Sequence, residues 1–397
     1  MNAPAPRSAY VHIPFCHRRC FYCDFPVVPL GDRADGATGP GSSSIRRYLG
    51  QLLHEIAISP SGPALSTVYV GGGTPSLLSP DQVAALLSAL HNRYGLADGA
   101  EITLELDPAG FDQHRLNALL ELGVNRVSFG AQSLDDAVLD GLGRRHRRHH
   151  VLEAASWLER ARRAGDLRSW SLDLLQGLPE QNGRTWLEQL EQALALKPPH
   201  LSVYDLIIEP GTVFERWLEQ GRLQLPEEET AADLLETTAA RLAAAGYGRY
   251  EISNWAWPGH ASRHNRVYWS GADWWAFGLG ATSALGGQRL ARPRTREAYG
   301  RWLASGAAAE QRAGDGLPLD EQLMVGLRRR EGVSMRQLSR QHGLTPAHLA
   351  GLRARLADYE RRGLLVVEGD RWRLSDPVGL ALSNGVLREI VAWCLPD

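Results

Sequence analysis

Apolar and polar positions in the first two-thirds of the chain switch repeatedly between two periods. Short, uniformly apolar runs predict buried strands, and apolar residues recurring every three to four positions predict helices packed on one face. Residues 67–70 (Thr-Val-Tyr-Val) form such a strand and run directly into Gly71-Gly72-Gly73. A helix is predicted to begin at Ser79-Pro80: Ser79 serves as N-cap, Pro80 presets the first helical φ, and Gln82 completes a capping box. Val83, Leu86, Leu87 and Leu90 then follow at helical spacing. The alternation continues with strands at 101–106, 126–129, 171–175, 201–208 and 249–253, and helices at 113–122, 151–163, 185–196 and 230–244. Strands separated by helices argue for βα units on a parallel sheet. About six units predict an α/β fold, a full or partial (β/α) barrel whose working residues lie at the C-terminal ends of the strands.

Outside these units the pattern changes. Residues 31–44 are rich in Gly, Ser and Asp and are expected to form a mobile loop. Residues 286–318 are mixed Gly, Arg and polar and read as a connection between domains. Helices are then predicted near 319–329, 334–342 and 347–362, followed by apolar segments at 364–367 and 372–374 flanking Glu368-Gly369-Asp370. Three helices and a hairpin resemble a winged helix. The expected organisation is a barrel over 1–285 and a linker with a helical, winged-helix-like domain over 286–397.

Composition narrows the function. With 397 residues, 44% hydrophobic, the chain can build one large core and a smaller one. A net charge of -2 gives no electrostatic reason to expect nucleic acid. In the winged-helix-like region Gln337, Arg340, Gln341 and His342 are polar, but Glu321, Glu331, Asp358 and Glu360 dilute the positive charge. No apolar run has the length of a signal peptide core or of a membrane span, so a cytoplasmic location is expected.

Of the four cysteines, Cys16, Cys20 and Cys23 form a CxxxCxxC cluster. Such clustering speaks for a metal in a reducing compartment rather than for disulfides. Three thiolates on one loop suit three irons of a [4Fe–4S] cubane, leaving the fourth open to the amino and carboxylate groups of S-adenosylmethionine (SAM). The alternatives are a structural zinc site, with His12 or His17 as fourth ligand and Cys394 remote, or three unrelated buried cysteines.

The segment from Tyr10 to Cys16, continuing through Cys20-Phe21-Tyr22-Cys23-Asp24-Phe25, resembles radical-SAM proteins related to oxygen-independent coproporphyrinogen III oxidase. The likeness runs through most of the chain and follows the branch of HemW-type haem chaperones. It is carried further by GGGTPS at 71–76, GVNRVSFGAQS at 123–133, LGRRH at 142–146, DLLQGLP at 173–179, IEPGT at 208–212, YEISN at 250–254 and HNRVYW at 264–269. The resemblance implies a partial (β/α) barrel with a winged-helix-like C-terminal domain. It places Tyr10, Tyr22, Gly72, Gly73, Thr74, Glu105, Gln132, Arg144 and Asp173 where the family contacts SAM. Those positions make physical sense: glycines admit close backbone approach, carboxylates accept from a ribose or an ammonium, and Arg144 pairs with a carboxylate. Each also has a plainer reading. The glycines serve as a tight turn, Asp173 as a partner of a backbone amide, and the basic run 144–150 as a solvated face.

Two features separate the branches. Phe25 occupies the position, two residues after the third ligand, where the oxidoreductase branch carries another cysteine; and fifteen residues precede Cys16, where that branch usually has a longer extension. Both favour a haem chaperone, with haem or a porphyrinogen, recipient haem proteins and an electron donor as partners. The alternative is an anaerobic coproporphyrinogen III dehydrogenase. His264 opens an HNxxYW motif that the branch associates with haem, and a neutral imidazole is a good axial ligand. Its plainer reading is an ordinary buried or surface histidine. Trp255, Trp257, Trp269, Trp274 and Trp275 crowd the same region, either as core or as the lining for a large planar ligand. The chain departs from the family at Thr282, which replaces a histidine, and at Glu180, where a glycine is usual.

Overall fold

The computed structural model describes residues 5–394. Its centre is one nine-stranded sheet. In chain order the strands are β1 (Ser8–Ile13), β2 (Leu65–Gly72), β3 (Leu96–Leu106), β4 (Arg126–Gln132), β5 (Ser169–Gln176), β6 (His200–Asp205), β7 (Gly248–Glu251), β8 (Asn254–Ala256) and β9 (Trp275–Phe277). They lie side by side as β9-β1-β2-β3-β4-β5-β6-β8-β7, so the barrel stays open between β9 and β7. All neighbours from β9 through β6 pair in parallel. The expected parallel α/β barrel is therefore present in partial form.

Parallel pairing requires a crossover after each strand, and the helices Ser42–Ile58, Pro80–Tyr94, Gln113–Glu121, Arg148–Ala164 and Gly183–Ala195 supply the first five. The capping box at Ser79 forms, with Pro80 in the first helical turn. The sequence pattern passed over β1 and the helix Ser42–Ile58. That helix starts at Gly41 in the left-handed region (φ 86°), with no side-chain cap and no acid in its first turn, so the usual start signals are missing. Its preceding loop is tied down rather than free. The Asp35 carboxylate accepts from the amides of Ala37 and Thr38, and Gln82 donates to the Gly36 carbonyl.

The expected strand at 249–253 does not begin another βα unit. β7 and β8 form an antiparallel hairpin, with β8 running antiparallel to β6. Only Ile252 and Ser253 lie between them, far too few for a parallel crossover.

The segment 286–318 is also more than a connection. Gly286-Gly287 turns the hairpin between Thr282–Leu285 and Gln288–Ala291, and the helix Arg296–Ala304 follows. Tyr299, Leu303 and Ala308 are part of the barrel's own core. Its polarity is deceptive because Arg292 is buried, its Nε 2.9 Å from Glu55 Oε1. Glu55 Oε2 also accepts from the Tyr299 hydroxyl (2.6 Å) and the Gly278 amide (2.7 Å).

The C-terminal domain has a separate core including Leu323, Leu327, Leu352, Val386 and Ile390. The helices Leu319–Leu327, Met335–His342 and Pro346–Arg361 precede a three-stranded sheet, to which Val333–Ser334 adds an edge beside the expected hairpin Leu365–Glu368/Arg371–Leu374. A terminal helix, Ser383–Cys394, completes it and carries Cys394 far along the chain from the other cysteines. Arg249 of β7 pairs with Asp376 (2.9 Å), joining the two domains. No helix of the described residues is long and apolar enough to cross a membrane.

Candidate functional site

The three cysteines occupy a loop closed at its base. Cys16 ends the short strand Phe15–Cys16, which pairs with Val28–Pro29. The amide of Leu30 donates to the Cys16 carbonyl (2.8 Å), and that of Cys23 to the Cys20 carbonyl (3.3 Å). Between the cysteines, Phe21 and Tyr22 pack against a small apolar cluster of Leu142, Leu175, Leu178, Phe214 and Leu223. This apolar floor anchors the loop at the C-terminal end of the sheet and leaves the thiols to line a cavity of about 430 Å³. Burial raises the Cys16 thiol to about 12, and it raises Cys23 as well. Binding a cation as thiolates reverses that preference.

The glycine run is set by close approach rather than by a turn alone. A Cβ on Gly73 would lie 2.9 Å from Cys16 Sγ and 2.6 Å from the Phe15 carbonyl oxygen. One on Gly72, at φ 115°, would lie 2.5 Å from His12 Nδ1. The Gly73 amide also donates to Ile13 O (2.9 Å), drawing the run against β1. Thr74 continues the lining.

Two carboxylates face the cavity from β3 and β5, the strands on either side of β4. Glu105, at the end of β3, accepts from the Tyr69 hydroxyl (2.7 Å) and the Gly72 amide (2.9 Å). Burial outweighs these bonds and, with the nearby Asp173, lifts the Glu105 carboxyl to about 7. Asp173 accepts from the hydroxyls of Ser128 (2.9 Å) and Ser171 (2.6 Å), and burial raises it too. Gln132 sits where the register of β4 shifts against β5, with φ at 59° in the left-handed region. Its Oε1 is buried without a partner among the described residues. A strained backbone and an orphaned acceptor on a cavity wall mark a place where a ligand donates.

Arg144 is the buried cation of the site. Its Nη2 donates to Asp107 Oδ2 (3.1 Å) and to the Gly130 carbonyl (3.0 Å), and its Nη1 points at Cys20 Sγ (3.5 Å). His146, fully buried, brings Nδ1 within 3.8 Å of the same carboxylate. Burial opposes the charge on Asp107, but His146, Arg144 and Arg145 hold its carboxyl well below the usual range. The basic run 144–150 thus splits: Arg144 and His146 turn inward, while Arg148 and His149 stay exposed.

Cys16, Cys20, Cys23, Tyr22, Gly72, Gly73, Thr74, Glu105, Gln132, Arg144 and Asp173 all line the one cavity. Tyr10 is not among its lining; its hydroxyl bonds to His12 Nδ1 (2.9 Å) and its ring stacks on Tyr69. His264 stands apart as well. It is 1% exposed, with Nδ1 bonded to Thr67 Oγ1 (2.8 Å) and Nε2 to the Tyr268 hydroxyl (2.8 Å). Thr67 lies near the N-terminal end of β2, so His264 sits beneath the sheet's working end. Burial lowers it to about 3. Both ring nitrogens are thus engaged in the core and neither faces the cavity, which is the plainer of the two readings the sequence allows for His264. Of the tryptophans beside it, Trp255 and Trp275 are buried in the core and the Trp274 indole donates to Thr282 O.

Asp107, Tyr69 and Ser128 were not singled out in the sequence. Asp107 did carry a signal, an acid immediately before a proline at the end of a predicted barrel strand. Among the described residues, no group of three or more His, Cys, Asp and Glu side chains converges on a single metal ion. A cubane makes a different demand, because each thiolate meets its own iron. Three thiols on one loop, a glycine cradle touching Cys16 and an unpaired Gln132 acceptor fit a cluster and SAM.

Residues 10–193 match the Radical SAM superfamily, and residues 318–377 match the HemN C-terminal domain. Heme chaperone HemW of Synechocystis is 38% identical over 411 residues, covering 98% of this chain and 97% of its own. Heme chaperone HemW of Bacillus subtilis is 35% identical over 344 residues, covering 85% of this chain and 87% of its own. Coproporphyrinogen III oxidase (HemN) from Escherichia coli shares the fold, with a TM-score of 0.78 at 24% identity over 98% of this chain and 90% of that one. Near full-length identity to the chaperones, together with the cysteine loop and its cradle, places this chain in the HemW family of radical-SAM proteins.

Proposed function

We propose that this protein holds a [4Fe–4S] cluster on Cys16, Cys20 and Cys23, binds SAM above it, and acts as a cytoplasmic haem chaperone that passes haem to recipient haem proteins. The observation that carries this reading is the 38% identity to a haem chaperone across 98% of the chain. Phe25 supports it, since the cavity holds three thiols and an apolar ring where the oxidoreductase branch has a fourth cysteine. When bound, cluster and SAM together supply one-electron chemistry at a sulfonium, fed by an electron donor. The chain's own part is positional. Gly73 lets backbone pass against Cys16, Gln132 accepts from the ligand, and Arg144 pairs with its carboxylate. Glu105 and Asp173 accept from its hydroxyl and ammonium groups.

A second reading, anaerobic coproporphyrinogen III dehydrogenase, draws support from the completeness of that constellation, which exceeds what a passive carrier needs. One experiment separates them. The anaerobically reconstituted protein is incubated with coproporphyrinogen III, SAM and a strong reductant, then separately loaded with haem and mixed with an apo-haem protein. Protoporphyrin over many turnovers establishes the dehydrogenase. No product alongside an intact cluster spectrum, with stoichiometric haem transfer, supports the chaperone.

A further inference from the structure

The engagement of His264 in the core leaves open where a haem would sit. The cavity is of a size that buries one small molecule, and the residues proposed for SAM line its walls. A macrocycle must therefore rest outside it. The rim supplies an apolar surface. Phe25 is 49% exposed, Tyr204 44% and Ile207 66%, and all three line this same opening. They come from separate segments, Phe25 from the loop after the third cysteine, Tyr204 from β6 and Ile207 from the turn beyond it. Large apolar side chains left uncovered by two distant segments at one opening mark a ligand surface.

Charge adds the second half of the match. Arg19 and Arg145 line the same opening. Arg19 donates to the Phe25 carbonyl (2.6 Å) and Arg145 to that of Ala109 (2.8 Å), so each is steered by a neutral acceptor. Among the described residues neither forms a hydrogen-bonded ion pair, Arg145 acting on Asp107 only from a distance, whereas their neighbour Arg18 is held by Asp32 at 2.7 Å. An apolar rim beside two guanidinium groups free of direct ion pairs is complementary to a flat macrocycle with two carboxylates on one edge.

We infer that haem binds across the cavity rim, its face on Phe25, Tyr204 and Ile207 and its propionates toward Arg19 and Arg145. The inference rests on the haem-chaperone reading. It has a further consequence: haem seated there covers the SAM site, so bound haem slows the exchange of SAM.

The test is a ferric haem titration of the reconstituted full chain, followed by Soret absorbance, with salt varied. Phe25→Ala combined with Ile207→Ala raises the haem dissociation constant about tenfold. Arg19→Ala combined with Arg145→Ala raises it about threefold or more and flattens its salt dependence. Phe25, Ile207 and Arg19 are exposed and Arg145 hydrogen-bonds only the Ala109 carbonyl, and circular dichroism with the cluster absorbance shows that each variant is folded and loaded before it is titrated. His264→Ala changes haem affinity by less than about twofold in the fraction that stays folded by circular dichroism. In a second measurement, haem slows release of preloaded radiolabelled SAM about tenfold. Wild-type haem binding that the rim variants leave unchanged, or that only His264→Ala abolishes, overturns the placement. A wild-type protein that takes up no haem overturns the chaperone reading itself, and the placement with it.

Discussion

Asp107 fixes Arg144 from one side, Oδ2 to Nη2 at 3.1 Å, while the far arm of the same guanidinium reaches Cys20 Sγ at 3.5 Å. A carboxylate on β3's following turn thus determines where the site's buried cation points. Asp107→Asn keeps the shape and removes the charge. Breaking a buried pair of this kind costs about 3 kcal/mol. Beyond that loss, SAM affinity falls about tenfold and the cluster's midpoint potential shifts, because the cation beside Cys20 is no longer held. Equilibrium dialysis with labelled SAM and a potentiometric EPR titration check both. A purely structural role for Asp107 lowers the melting temperature and moves neither.

Glu105 makes the ligand-free protein sensitive to pH in a direction opposite to a paired surface acid. Its folded pKa of about 7 lies above the ordinary value of 4.5, so the folded state keeps the proton longer than the unfolded chain does. The associated stability is present below the unfolded pKa and is lost as pH rises through about 7. Compared with Glu105→Gln, the wild type loses on the order of 1–2 kcal/mol across that window, water in the cavity moderating the effect. Urea denaturation of both proteins at pH 5 and pH 8 measures the difference.

Gly73→Ala tests the cradle. The added methyl would lie 2.6 Å from the Phe15 carbonyl and 2.9 Å from Cys16 Sγ, contacts that neither backbone nor a cluster ligand can relax cheaply. Reconstituted iron content and the visible absorbance of the cluster both fall by about half or more, at a cost to global stability of about 1–3 kcal/mol. Full iron content in the variant rules out a cluster seated against this glycine.

The buried pair of Arg292 and Glu55 joins a segment that the sequence presents as a linker to the first helix of the barrel. Arg292→Met leaves Glu55 with no ion partner, facing only the Tyr299 hydroxyl and the Gly278 amide. Stability drops by about 3–5 kcal/mol, read from chemical denaturation. The barrel transition shifts while that of the C-terminal domain, with its separate core, stays in place.

Much of the fold was legible from periodicity because buried parallel strands and amphipathic helices differ sharply in pattern. Ser79, Pro80 and Gln82 announced a helix start that forms as read. The helix at Ser42 announced nothing, since a left-handed glycine begins it and tertiary packing of Ile45, Leu49, Leu52 and Ile56 sustains it. The ligand-facing residues were legible mainly through resemblance, and the cavity gathers all of them except Tyr10 and His264. Those two lie outside it for different reasons: the Tyr10 hydroxyl turns to His12 two residues on, whereas His264 is drawn into the core by Thr67, a partner 197 residues away that leaves no local trace. Glu180 was legible as an oddity, and the structure gives its cost: it takes φ 60°, a conformation that glycine adopts without strain.

The barrel that stops short of closure leaves two raw strand edges, yet both are stubs. β9 has three residues and β7 four, and β7 is further weighted by the Arg249–Asp376 clasp to the second domain. An edge this short offers an incoming strand too few hydrogen bonds to hold it. The gap in the barrel therefore does not invite self-association along the sheet, and lengthening either stub by a few β-branched residues would convert an innocuous seam into a nucleus for aggregation.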